Sequence, residues 1–422
     1  MIAGVLSVGS EVVLGQVVDT NAAWLSRELA VLGFEVVEHA AVGDEQDRIA
    51  EKVKEMSNRV DVLVITGGLG PTADDLTRQV LARLSGQPLV LDDEALESIQ
   101  KIFAARGLEM PDTNRVQAMI PMGATILRNR RGTAVGFLLP LGRAEVAALP
   151  GVPHEMKGMF VEELAPRLRQ RSRGAVVLVR NVRTFGLPES LVGQRIAHLM
   201  GERDNPHVGT LAQDGVISVE MIARGENAER AGALLDSCER EIRSLLGEAV
   251  YGVDVPGLEF AVAEWLERLG WTLAVAESCT GGLVSGALTR VPGISRFFVE
   301  GVVTYSNGAK VRRLGVPEAL IEEYGAVSAA VAQAMAEGAR RTAGSDASVA
   351  LTGIAGPSGG TAEKPVGLVF IATSTPAATH VSEHRFAGDR DIVRDRAAKT
   401  ALNLLRLSLM KAGGQAFGQA GH

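Results

Sequence analysis

The chain has 422 residues, a net charge of −7 and 46% apolar residues, enough for two or three packed domains. That balance gives no basic surface of the kind that draws nucleic acid or acidic membranes, and two cysteines make neither a disulfide framework nor a zinc cluster. With no uninterrupted apolar run of about twenty residues and no leader pattern at the amino terminus, the expectation is a cytoplasmic protein that does not span a membrane.

In chain order, Ile2 to Val8 reads as an apolar strand, Asn21 to Leu32 as an amphipathic helix, Glu35 to Val42 as a strand and Asp61 to Ile65 as a buried strand. This alternation predicts a layered α/β domain. The last strand leads into Thr66-Gly-Gly-Leu-Gly-Pro-Thr-Ala-Asp-Asp75, at the strand end where α/β sheets keep their ligand sites. Gly67, Gly68 and Gly70 expose backbone N–H groups suited to phosphate, with Thr72 beside them. Asp74 and Asp75 offer hard oxygen ligands for a divalent cation, or cap the helix that follows. Glu11, Asp19 and Asn21 are further candidate contacts, though Asp19 serves equally well as a turn residue.

Gly9-Ser-Glu11, Gly15-Gln-Val-Val-Asp-Thr-Asn21, Gly67-Gly-Leu-Gly-Pro-Thr-Ala-Asp-Asp-Leu-Thr77 and Pro150-Gly-Val-Pro-His-Glu-Met156 resemble, in this order, the molybdopterin-binding domain family in the version at the front of CinA proteins. Two positions depart from the pattern. Ser10 stands where threonine is usual, and Val116 interrupts the basic character expected between Asn114 and Gln117. The resemblance implies metal-dependent hydrolysis of ADP-ribose or a related pyrophosphate rather than molybdenum cofactor assembly, with the metal on Asp74 and Asp75. His154, within the last motif, is a weaker candidate near the same site.

From Ala175 to Val182 a strand is expected, from Glu189 to Met200 a helix, then strands Val208 to Leu211 and Val216 to Ile222 and a long helix Ala228 to Leu246. The βαββα order resembles KH-type RNA-binding modules. No GXXG backbone clamp is evident, however, and Glu226, Glu229, Glu239 and Glu241 make the long helix acidic, so the expectation is a structural or dimer-forming role without nucleic acid. Pro256-Gly257 marks a linker.

Trp271 to Ala276 reads as a buried strand, and Leu283, Val284, Ala287 and Leu288 open a helix, so Ser278 falls on a strand-to-helix turn. There the first N–H groups of the helix are expected to be unpaired and to suit a developing oxyanion, while Gly281 and Gly282 let a substrate approach the backbone. Val299 to Thr304 is a further strand, carrying Tyr305 and Lys310 beyond its end. A desolvated lysine can activate a serine, with a tyrosine to relay protons or hold the amine. Equally, Ser278 fits a helix cap and Lys310 a solvated surface charge. Cys279 competes as nucleophile. Ser348 to Leu351 is a strand feeding the loop Thr352 to Gly360, where Gly353 and Gly356 can take part in a phosphate nest or merely supply unusual φ values; Arg390 is a candidate phosphate contact or a solvated cap. His380 and His384 fall in a strand or loop and are expected at the surface.

Glu277-Ser-Cys-Thr-Gly-Gly282, Thr304-Tyr-Ser-Asn-Gly-Ala-Lys310 and Ala350-Leu-Thr-Gly-Ile-Ala-Gly-Pro-Ser-Gly-Gly360 resemble the nicotinamide mononucleotide deamidase family, the carboxyl-terminal domain of CinA proteins. The resemblance implies that Ser278, Tyr305 and Lys310 hydrolyse the carboxamide of nicotinamide mononucleotide without a metal. Thr280, Gly281, Gly282, Asn307, Thr352, Gly353, Gly356 and Arg390 would bind the substrate. The expected organisation is α/β: a three-layer molybdopterin-binding-like domain over 1–171, a small α+β KH-like module over 172–253, an α/β amidase domain over 254–412 and a disordered tail over 413–422. A homodimer is expected from the resemblance. A nucleotide-sensing protein linked to competence or DNA damage, binding without turnover, is the alternative.

Overall fold

The computed structural model describes residues 1–171, 176–201 and 205–419. They gather into two compact units, 1–179 with 222–235, and 180–221 with 236–422.

In the first unit a six-stranded sheet runs in the order Glu35–Val42, Ile2–Val8, Val62–Thr66, Ala144–Leu149, Gly136–Leu141, Thr125–Leu127. The first four strands are parallel and the last two antiparallel. Strand alternation splits the core in two. Leu6, Leu63, Ile65 and Val146 face one helical layer, while Ala3, Val5, Val64 and Leu149 face the other. The register places Ser7, Thr66 and Leu149 side by side, so the chain leaves three neighbouring strands at one edge, through Gly9, Gly67 and Pro150. That edge is where the predicted glycine loop lies.

The middle segment forms a four-stranded sheet in the order His207–Gln213, Val216–Gly225, Val176–Phe185, Val250–Val253. Val250–Val253 is a strand the sequence pattern did not separate from the linker, antiparallel to Val176–Phe185 through Val250 with Thr184. The predicted helix Ala228–Leu246 is present over those residues, whereas the helix begun at Glu189 gives way after Arg195 to a 3-10 turn at Ala197–Leu199. The expected starts at Ser172 and Ala175 lie outside the described residues.

The carboxyl-terminal part of the second unit is again three-layered, with sheet order Phe298–Val303, Leu273–Glu277, Ala347–Gly353, Leu368–Ser374, Thr379–Arg385. Leu273 and Val275 pack on helices Leu258–Leu269 and Arg390–Gln419; Ala274 and Ala276 face helix Ala329–Ala343. Alanines on that second face keep the helix close, and Gly338 has no room for a side chain, since a Cβ would lie 2.1 Å from the Leu314 carbonyl oxygen. The final helix is Arg390–Gln419. Within it Gly413 is buried against the Trp265 ring, where a Cβ would lie only 2.9 Å from the ring. Residues 420–422 lie outside the described residues. His380 and His384 do occupy a strand, but His384 is half-buried, stacked on Phe386 at 5.6 Å, and burial holds its pKa below the ordinary value.

Candidate active site

The central strand Leu273–Glu277 lies between parallel strands Phe298–Val303 and Ala347–Gly353, with Glu277 in register with Val303 and Leu351. Ser278, Thr304 and Thr352 therefore emerge together at one edge of the sheet. Ser278 N–H donates to the Leu351 carbonyl and Thr304 N–H to the Glu277 carbonyl, which fixes the three exits against one another. Beyond Thr304, Ser306 caps helix Asn307–Leu314 by accepting from the Ala309 N–H, and the first turn of that helix points Lys310 inward.

Lys310 Nζ lies 3.1 Å from Ser278 Oγ and donates to the Thr304 carbonyl at 2.8 Å and, more distantly, to that of Tyr305 at 3.5 Å. Lys310 is 1% exposed, and no carboxylate among the described residues pairs with it. Burial pushes its pKa below the usual lysine value. With both carbonyls taking N–H bonds from the amine, a neutral Lys310 presents its lone pair to the serine hydroxyl. The surface-charge alternative for Lys310 is thereby excluded, and so is a capping role for the Ser278 side chain.

Helix Leu283–Leu288 is capped from behind instead. The fully buried Glu277 carboxylate accepts from the N–H groups of Gly282, Val284 and Ser285 and from the Ser285 hydroxyl. The expectation of an unpaired helix N-terminus facing the substrate is corrected by this carboxylate, whose role sequence pattern did not signal. The hydroxyls of Thr280 and Thr304 are buried without a hydrogen-bond partner beside the Ser278–Lys310 pair.

Tyr305 precedes the helix cap and turns the other way. It is 61% exposed, and its hydroxyl accepts from Arg390 Nη2 at 2.9 Å rather than meeting Lys310. Only its main-chain carbonyl approaches the amine. Arg390 also donates to the Gly356 carbonyl at 2.6 Å, and Arg394, one turn on, donates to the Thr280 carbonyl at 3.1 Å. The four-residue spacing of these arginines on a helix was the signal by which Arg394 could have been found. Gly281 and Gly282 have φ of +63° and +103°, consistent with their place in the turn. Asn307 is exposed at the start of its helix. Thr352 turns away from the site, donating its hydroxyl to the Ala326 carbonyl, and Gly353 lies tight against Leu368 and Val369.

Cys279 is 5% exposed within the core packing, and burial pushes its thiol up to about 11. A thiol so held is neutral at pH 7 and a poor nucleophile. Cys279→Ala is expected to lose roughly 1 kcal/mol of stability from the small void; urea unfolding checks it.

In the first unit a cavity of about 520 Å³ is lined by the glycine loop together with Glu11, Asp44, Asp74, Asp75 and Glu155. Gly67 and Gly68 sit so close to the Val8 carbonyl and the Thr77 hydroxyl that a Cβ at either would overlap them. Asp75 latches the loop: its oxygens accept from the Gly70 and Thr72 N–H groups and the Thr72 hydroxyl. Asp74 is exposed. No three acidic, histidine or cysteine side chains among the described residues cluster as a ready-made metal centre. Asp19 caps helix Thr20–Val31 through the Ala22 N–H, and Asn21 ties Thr66 to the Gly151 carbonyl. His154 is exposed at the start of its helix. Sequence reasoning passed over Arg78, fully buried behind the loop, donating to the Leu69 carbonyl while Nε and Nη1 have no partner.

Two layered α/β domains, each with loops gathered at the carboxyl ends of its parallel strands, lie before and after a KH-like module in the sequence. Residues 4–170 match the probable molybdopterin binding domain, residues 179–252 the damage-inducible protein CinA KH domain and residues 257–409 the CinA C-terminal domain. The chain is 41% identical over 410 residues to a putative competence-damage inducible protein of Caldicellulosiruptor saccharolyticus, covering 97% of this chain and 100% of that one. It is 43% identical over 422 residues to the protein of the same name from Symbiobacterium thermophilum, covering 97% and 99%. The chain belongs to the CinA family. Among solved structures, the competence/damage inducible protein CihA of Agrobacterium tumefaciens is 42% identical over 36% of this chain and 93% of that chain, with a TM-score of 0.35. A CinA protein from Thermoplasma acidophilum is 34% identical over 39% and 96%, with a TM-score of 0.37. No described helix is long and apolar enough to cross a membrane.

Proposed function

We propose that the carboxyl-terminal site is a metal-independent amidase that converts nicotinamide mononucleotide to nicotinic acid mononucleotide and ammonia. The reading is carried by one observation: a buried lysine, unpaired with any carboxylate, 3.1 Å from a serine hydroxyl at the end of a central strand. Neutral Lys310 takes the Ser278 proton as Oγ attacks the carboxamide carbon. Turn N–H groups near Cys279 and Thr280 receive the oxyanion. The resulting ammonium of Lys310 returns its proton to the departing nitrogen, which leaves as ammonia, and water then releases the acid by the same base. Arg390 and Arg394 supply positive charge for the phosphate, and Tyr305 positions Arg390. Ammonia release from nicotinamide mononucleotide, lost in Ser278→Ala, tests this; release that persists in the variant removes the reading.

For the first unit we propose binding and metal-dependent cleavage of ADP-ribose or a related pyrophosphate. Glycine-loop N–H groups suit the phosphates, and Asp74, exposed at the cavity and hydrogen-bonded through Thr72, which holds its carboxylate below the ordinary pKa, suits a cation that completes its shell with phosphate oxygens and water. Asp75 would join it only by sharing oxygens that already latch the loop. A divalent ion there would neutralise the pyrophosphate as it is attacked. A chelator is expected to leave ammonia release unchanged and to abolish pyrophosphate cleavage in the same preparation; chelator-sensitive ammonia release would contradict the assignment of chemistry to the two sites.

A further inference from the structure

A cavity of about 380 Å³ that Ser278 does not line lies within the second unit, and Glu259 and Arg183 face it without pairing with each other. Tyr251, 7% exposed, and Glu259, 8% exposed in the first turn of helix Leu258–Leu269, line it, and neither the hydroxyl nor the carboxylate has a hydrogen-bond partner among the described residues. Arg183 lines the same space. Its Nη1 donates to the Ser218 hydroxyl, while its Nε is buried without a partner. Arg290, exposed and in no ion pair among the described residues, also lines the cavity. Lys399 is already occupied, donating to Asp395 and to the Asp214 carbonyl. Leu283, Val216 and Leu402 supply apolar wall.

A buried carboxylate such as Glu259, sharing a cavity with the half-buried Arg183 but not meeting it, is costly unless a third group bridges them. A cavity of this size, in which charged and polar groups converge beside an apolar wall, has room for a small molecule with charges of both signs. We propose that it is a second ligand site, taking a pyridinium mononucleotide with its phosphate on Arg183 and Arg290 and its cationic ring against Tyr251 and Glu259. The aromatic face and the carboxylate both favour a cationic ring, and the two guanidinium groups favour phosphate. Burial pushes the Tyr251 hydroxyl up to about 12, so it stays a neutral donor at pH 7. The ligand class rests on the amidase reading above; the unpaired charges do not. One wall is helix Leu283–Leu288, which begins just after the Ser278 turn, so a bound nucleotide braces the catalytic loop from behind.

Titration calorimetry of full-length Ser278→Ala protein with nicotinamide mononucleotide tests the proposal, alongside ammonia release by the parent chain. Two sites per chain are expected. Glu259→Gln and Arg290→Ala should each weaken one of them by about tenfold or more and leave the other unchanged. A single site, indifferent to both substitutions, or no binding at all, overturns the second site. If the parent releases no ammonia while one site remains and is lost in Glu259→Gln, the second site stands and the amidase reading falls. Glu259→Gln is isosteric and removes an unpaired charge, and Arg290 is exposed, so both variants should fold; unchanged unfolding midpoints confirm that lost affinity is local.

Discussion

Lys310→Met is expected to lower ammonia release by at least about 10⁴-fold, with no loss of folding stability at pH 7. The two halves of that result have one cause. Burial disfavours the charged amine, so at neutral pH the folded chain carries a cost that methionine, of similar length and apolar, removes. A lysine held for structure would give the reverse, a stability loss with activity retained in the surviving fold. Lys310→Arg should not rescue, because a guanidinium stays protonated and cannot act as base. Ser278→Ala combined with Lys310→Met should be no slower than either alone, since nucleophile and base act as a unit. The pH dependence has a definite sign. Lys310 must be neutral, so kcat/KM falls as pH drops through its lowered pKa, and this acid limb lies below the ordinary lysine value of 10.5. Between the folded value and 10.5 the unfolded chain binds more protons, so the contribution of Lys310 to stability rises with pH across that window. A profile lacking the acid limb, or an Arg variant with parental rates, would remove Lys310 as the base.

Glu277→Ala should cost roughly 3–5 kcal/mol of folding stability, the largest effect expected from any single change near the site. The carboxylate is fully buried and accepts four hydrogen bonds, three from the N–H groups that open helix Leu283–Leu288. Alanine leaves those donors dry and unpaired. Glu277→Gln keeps one acceptor oxygen and loses the charge, so a smaller loss of about 1–3 kcal/mol is expected. Urea unfolding of the three proteins measures this, and a variant Glu277→Ala within about 0.5 kcal/mol of the parent would show that the helix is capped by other means. Activity should fall with it, because the same helix fixes the Ser278 turn.

Much of the layered architecture was legible in the chain because buried parallel strands are continuous apolar runs. Ile2–Val8 falls at the residues read from such a run; Glu35–Val42, an edge strand alternating between exposed and half-buried residues, and the helix Ala228–Leu246 also fall at the residues expected. Short elements were less legible. Val250–Val253 is too brief to stand out beside Pro256-Gly257, and it is a strand only because Val176–Phe185 offers an unpaired edge. At Gly413 the chain packs against Trp265, a contact that glycine's weak helix propensity does not signal.

Local order along the chain was enough to put Ser278 on a turn after a strand, Lys310 in a helix after the next, and glycines wherever the loops approach other backbone. Which side chain meets which was decided only by sheet register and helix caps. Register sets Glu277 beside Val303 and Leu351, bringing residues far apart in sequence to one edge. The Ser306 cap then turns Lys310 inward and leaves Tyr305 outside with Arg390. In the same way Asp75, indistinguishable from Asp74 by type and position, is turned back onto Gly70 and Thr72 while its neighbour stays exposed. Residue type and spacing determine which chemistry is available; the direction of each side chain depends on long-range packing, which no local pattern encodes.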